Sequence, residues 1–322
     1  DAWTGGEVTR QVERTLGPDK YHSRLPWFAA VTGKDSVLIR GETQEILDRE
    51  IDYAADAGLD YWAFLLYPAA DPMSRPLELY RSSSRRGRLG FCVILHNNLG
   101  VSEAEWPRER DRVIALLRQP SYQKVRGGRP LVYVFSASVP RFAALRAAIR
   151  AAGLDPYYVG MDWNPAPGTS AKASLTNDGY QGTSAYAYGS SVATFAELAR
   201  AVEENYWRRA VRVGVPYVPL VTTGWDKRPR KDNPVSWEKD AAYHWQTVFT
   251  ARATPGEIAD HLRRALTFVN DHPDLCEANA VILYAWNEFD EGGWLAPTWT
   301  ASGRPDNRRL EAIRGVLRPG TK

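Results

Sequence analysis

Two glutamates, Glu288 and Glu291, stand three residues apart in the stretch 287-NEFDEGGWLAP-297, directly after the apolar run 280-AVILYAW-286. Carboxylates this close repel, so one pKa rises while the other stays low. That split yields one proton donor and one acceptor, the requirement of acid/base catalysis. On a helical turn their Cβ atoms would lie roughly 5–6 Å apart on one face. Acidic residues also favour helix N-termini for reasons of charge alone, which needs no chemistry. A metal site lacks ligands: His22, His96, His244, His261 and His272 show no chelating spacing, and no calcium-loop pattern is present. No metal or cofactor is expected.

The pair must be carried by a scaffold, and the chain shows one. Apolar runs at 26–31, 60–67, 90–96, 130–136, 157–163, 180–188, 216–225 and 280–286 read as strands. Helical patterns separate most of them, at 43–58, 103–119, 139–152, 193–212 and 255–270, with a closing helix at 306–317. Strands alternating with helices imply an α/β fold with a parallel sheet. Eight such units in 322 residues fit a (β/α)8 TIM barrel in a single domain over 1–322. A doubly wound open sheet would want a glycine-rich turn after its first strand, and 32-TGKDSVLIRGE-42 has none.

In a barrel the chemistry sits at the C-terminal ends of the strands. Those ends carry Tyr67; His96 and Asn97; Asp162 and Trp163; Tyr186 and Tyr188; Trp225, Asp226 and Arg228; and finally Trp286, Asn287, Glu288, Glu291 and Trp294. Amides, carboxylates, phenols and indoles together suit a sugar, which needs flat faces against its C–H surfaces and polar groups for its hydroxyls. Each has a plainer role: Asp162 as a helix cap, His96 as a core histidine, the tryptophans as packing. Their coincidence on one face favours a binding site. The basic run 81-RSSSRRGR-88 precedes the third strand, on the opposite face, and reads as solvated surface.

Geometry narrows the chemistry. Retaining glycosidases hold two carboxyl groups about 5 Å apart and inverting ones roughly 6.5–9.5 Å apart, reaching the sugar from different sides. Two glutamates on one short turn reach it from one side. Either one pairs with a distant carboxylate, such as Asp162 or Asp226, or the nucleophile is not a protein group.

The string 287-NEFDEGGWLAP-297 resembles the Asn-Glu-aromatic-x-Glu-Gly signature of glycoside hydrolase family 99 and the related WbsX-like proteins. The segment 224-GWDKRPR-230 resembles the Gly-Trp-Asp-x-x-x-Arg segment of the WbsX-like group, and 49-REIDYAADAGLDYWAF-64 resembles the helix and strand that open these barrels. Phe289 stands where Trp is usual, and Ala296 where the WbsX-like group has Glu. The resemblance implies retaining hydrolysis of an α-mannoside. Glu288 would withdraw the proton of the sugar's own 2-hydroxyl, which attacks C1 and forms a 1,2-anhydro sugar. Glu291 would protonate the leaving oxygen and then activate water. The substrate would be a complex polysaccharide, α-manno-configured or anionic, cut by an endo-acting, secreted or periplasmic bacterial enzyme. Lys227, Arg228 and Arg230 would hold an anionic group. A protein on this fold that only binds or helps assemble a polysaccharide is the non-catalytic alternative.

Composition excludes other classes. The net charge is +3 with both signs interspersed, unlike the basic stripe of a nucleic-acid binder. No apolar run is long enough for a membrane span. Two cysteines, Cys92 and Cys276, make no disulfide framework, and Cys92 lies in an apolar run that suits a buried thiol. A monomer is expected.

Overall fold

The computed structural model of the chain describes residues 6–96, 100–135, 139–164, 168–238 and 245–320. The run expected as the first strand of the sheet does not join it. Ala30–Gly33 (β1) instead pairs antiparallel with Ser36–Leu38 (β2). Lys34 and Asp35 turn the chain back, and all four residues of β1 are exposed. The residues before β1 are held elsewhere: Trp27 donates to the Pro297 carbonyl at 3.1 Å, and Pro26 bridges to Thr298.

The remaining seven runs behave as expected. Tyr61–Leu65 (β3), Gly90–Leu95 (β4), Arg129–Phe135 (β6), Tyr157–Met161 (β7) and Gly182–Ser184 (β8) form a parallel ladder in chain order. The short Lys124–Val125 (β5) runs antiparallel on the edge of β6. Leu220–Thr222 (β9) and Ile282–Tyr284 (β10) pair in parallel, and a parallel bridge from Thr183 to Tyr217 links β8 to the approach of β9. The fold is α/β, with a mostly parallel central sheet. Among the described residues no backbone ladder joins β10 to β3. Side chains span that junction instead: the Tyr61 hydroxyl donates to Val281 O at 3.3 Å, and the Trp62 and Trp286 rings lie 5.1 Å apart.

Parallel strands need long crossovers, and helices supply them. Gln44–Asp56 precedes β3, with Thr43 capping it by accepting from the Ile46 amide. Arg75–Ser82, Trp106–Leu117, Phe142–Ala151 and Ala171–Asp178 follow in turn. Phe195–Val202 and Pro255–Asp271 both start in capping boxes, Thr194 with Glu197 and Thr254 with Glu257. The helical stretch at 193–212 is interrupted by a π turn at Glu203–Trp207. Arg308–Leu317 closes the chain's described helices.

One apolar cluster fills the β3–β8 side around Val93, Tyr133 and Val159. A second gathers Leu220, Val221, Ile258 and Leu262. Ile282 and Trp286 pack against both, so β10 joins them. Cys92 and Cys276 are free and buried. Among the described residues no helix is long and apolar enough to cross a membrane. The basic run is a surface: Arg85 pairs with Asp52 at 3.1 Å and Arg88 with Asp56 at 2.7 Å.

Candidate active site

Glu288 and Glu291 lie on a β-hairpin, not on a helical turn. Asn287–Glu288 (β11) pairs antiparallel with Gly293–Trp294 (β12), and Glu291 sits in the connecting turn. Gly292 makes the turn possible: its φ is 87°, and a Cβ there would lie 2.6 Å from the Asp226 amide nitrogen. The Asp226 amide donates to Glu291 O at 2.6 Å, which ties the hairpin to the segment after β9.

Arg230 organises the cluster. It lies on the short helix Arg228–Asp232, and its side chain is 3% exposed. Its guanidinium binds Asp290 through two hydrogen bonds, at 3.0 and 2.9 Å. It also binds Glu291 Oε1 and Glu238 Oε1 and reaches Glu288 Oε2 at 3.4 Å. Lys227 Nζ adds contacts of 2.7 Å to Glu238 and 3.2 Å to Glu291. The Tyr284 hydroxyl donates to the other oxygen of Glu291.

The two glutamates therefore differ. Burial and the charge of Glu291 push Glu288 up to about 7, against the pull of Arg230. Burial also raises Glu291, but Arg230, Lys227 and the Tyr284 hydrogen bond outweigh it, and its pKa lies below the ordinary carboxylate value. In the free protein near neutral pH, the proton of the pair belongs on Glu288. The resemblance implied the reverse.

Glu288 opens into a cavity of about 360 Å³, together with Asn287, Trp286, Tyr284, Tyr186 and Tyr67. The cavity continues through the β3–β10 junction toward Leu262 and Leu266. Tyr186 stacks on Phe135 at 4.3 Å, and Tyr67 packs edge-on to the buried His96 at 5.0 Å. The parallel ladders explain this gathering: Leu65 pairs with Ile94, Leu95 with Val134, Phe135 with Met161 and Met161 with Ser184, so the C-terminal ends of these strands open on one face.

Other candidates lie apart. Asp162 and Trp163 line a different cavity, and Tyr188 accepts from Asn205 Nδ2 at 2.9 Å beside it. Asp226 is buried and bound by Arg24 and Arg228. Trp225 is 8% exposed under Lys227, and Trp294 is 3% exposed between Arg309 and Arg252, so neither offers a broad open face. Asn97 lies outside the described residues. Lys227, Arg228 and Arg230 are bound to the protein's own carboxylates, so they leave the expected anionic substrate without a ready partner there. Among the described residues no group of three or more His, Cys, Asp or Glu side chains could hold a metal ion. Sequence reasoning missed Tyr284, Glu238 and Asp290. Tyr284 was signalled by its place at the end of the last strand; Glu238 gave no signal.

No family model and no curated protein matches the chain. Its fold is found among solved structures. A GH99 endo-α-mannosidase from Bacteroides thetaiotaomicron superposes with a TM-score of 0.56 at 14% identity, covering 86% of this chain and 79% of that one. A second structure of a GH99 endo-α-mannosidase from that organism, in complex with bis-tris propane, gives 0.57 at 13% identity, covering 86% and 85%. At this identity the likeness establishes the fold: over most of its length, the chain is folded like these GH99 structures.

Proposed function

We propose that the chain is an endo-acting glycoside hydrolase for an α-manno-configured polysaccharide, working outside the cytoplasm, with Glu288 and Glu291 as its acid/base pair. The observation that carries this reading is the divided pair: Glu288, inclined to keep its proton, lines a tyrosine-rich cavity, and Glu291 beside it is held ionised. The likeness to endo-α-mannosidase structures supports the choice of sugar. Asp226 has its carboxylate engaged by arginines, and Asp162 belongs to another cavity, so neither makes a conventional second carboxylate for Glu288.

The charges favour exchanged roles relative to the resemblance. Glu291 accepts the proton of the 2-hydroxyl as that oxygen attacks C1. The C1–O bond to the leaving group breaks, and Glu288 gives its proton to the departing oxygen. Water then opens the 1,2-anhydro ring at C1, losing a proton to Glu288, while Glu291 returns its proton to O2. The stereochemistry is retained. Glu291 has both oxygens engaged, so the 2-hydroxyl must take the place of the Tyr284 hydroxyl. The same engagement favours the second reading, in which the protein binds polysaccharide without cutting it.

Product release from α-mannose-containing polysaccharides separates the two. The wild type should release oligosaccharides, and E288Q and E291Q should lose about 10²–10⁴ in rate. An aryl α-mannoside whose leaving group needs no proton should rescue E288Q but not E291Q. Binding without products would establish the second reading, and rescue of E291Q alone would restore the roles that the resemblance implies.

A further inference from the structure

A second cavity, of about 190 Å³, lies between the C-terminal ends of β7 and β8 and the π turn at Glu203–Trp207. It shares no lining residue with the Glu288 cavity. Its volume is that of about six waters of liquid, the scale of one sugar ring.

Two irregularities of the backbone build it. Asp162, directly after β7, takes a left-handed conformation with φ 54°. Its carboxylate accepts from the Tyr186 amide and the Tyr206 hydroxyl, each at 3.4 Å. The π turn carries Asn205 and Tyr206 into the opposite wall, and such turns recur at functional sites. Arg209 follows, donating to Asn164 Oδ1 at 2.7 Å.

The two hydrogen bonds that the Asp162 carboxylate accepts are long, at 3.4 Å, and a carboxylate has about four lone-pair sites, so it can accept from a guest's hydroxyls as well. The charged groups of the lining are Asp162 and Arg209, one of each sign, which suits a neutral polyol better than an anion or a cation. Trp163 adds an apolar indole fixed by its bond to Asp178 at 2.7 Å.

We propose that this cavity is a second carbohydrate site, separate from the Glu288–Glu291 pair, that holds one neutral sugar ring. Trp163 covers its C–H face, and Asp162 and Arg209 bind hydroxyls at the mouth. The proposal does not depend on hydrolysis, so the failure of one is distinguishable from the failure of the other.

The test is saturation-transfer NMR with methyl α-galactoside and methyl β-glucoside as probes. Wild type, R209A, D162N and E288Q are compared, and thermal melts confirm that each variant is folded. At least one probe should bind the wild type. Its Kd should weaken about tenfold or more in R209A and in D162N, roughly the value of one good hydrogen bond. E288Q should not change that Kd. No transfer from any probe would mean that the cavity holds water only, and would overturn the proposal. Binding lost in E288Q but kept in R209A and D162N would overturn it as well, by returning the sugar to the other cavity.

Discussion

Glu50 and Glu291 are both carboxylates removed from solvent and hydrogen-bonded on both oxygens, yet they are driven to opposite protonation states. Glu50, on the Gln44–Asp56 helix, is 1% exposed and accepts from the indoles of Trp27 at 3.2 Å and Trp286 at 2.6 Å. Burial outweighs these neutral dipoles and pushes its pKa up to about 8. Glu291 meets Arg230 and Lys227, and there charge outweighs burial. Glu288 lies between the extremes because Arg230 touches it only at 3.4 Å while Glu291 repels it. The kind of partner, not the depth of burial, sets which carboxyl keeps a proton. Trp286 joins the two regions, its ring bonded to Glu50 and its backbone leading into Asn287 and Glu288.

The comparison breaks most sharply at Arg230. R230M leaves Asp290, Glu291, Glu238 and Glu288 without their shared cation. Unfolding by urea should show a loss of about 3–5 kcal/mol, the scale for removing one partner from a buried ion pair. A loss under about 1 kcal/mol would mean that Lys227 alone neutralises the cluster.

Glu50 gives a smaller effect with a definite sign. Its folded pKa is raised from 4.5 to about 8, so between those values the folded state keeps a proton that the unfolded state has released. Its contribution to stability is full below about pH 4.5 and is lost as pH rises toward 8, by at most about 1.4 kcal/mol per pH unit. In E50Q that part of the slope should vanish. Unfolding free energies of wild type and E50Q at about pH 5 and pH 8 check this; parallel curves would show that Glu50 is ionised in the folded protein.

Much of the scaffold was legible. The runs at β4, β6 and β7 are near-continuous Val, Ile, Leu and Tyr, as strands buried on both faces must be. The run at 26–31 was misleading because its apolar residues serve other contacts: Trp27 caps Glu50, and Ala30 and Val31 enter a hairpin whose Gly-Lys-Asp turn was the overlooked cue. The glutamate pair was legible as a pair. Its electrostatics were not, since Arg230 lies 58 and 61 residues from its targets and only the fold brings them together. Residue type alone could not say that Trp294 lies between two guanidinium groups, 4.0 and 5.0 Å from its ring, while Tyr186 borders the cavity.

The most direct measurement is a ¹³C NMR titration of the glutamate side-chain carboxyls, assigned with E288Q and E291Q. The two sites are coupled, so the quantity to compare is the order of their midpoints. The account predicts a midpoint near 7 for Glu288 and one below the ordinary glutamate value for Glu291. A Glu291 midpoint above that of Glu288 would contradict it, and would put the proton where the family resemblance implied.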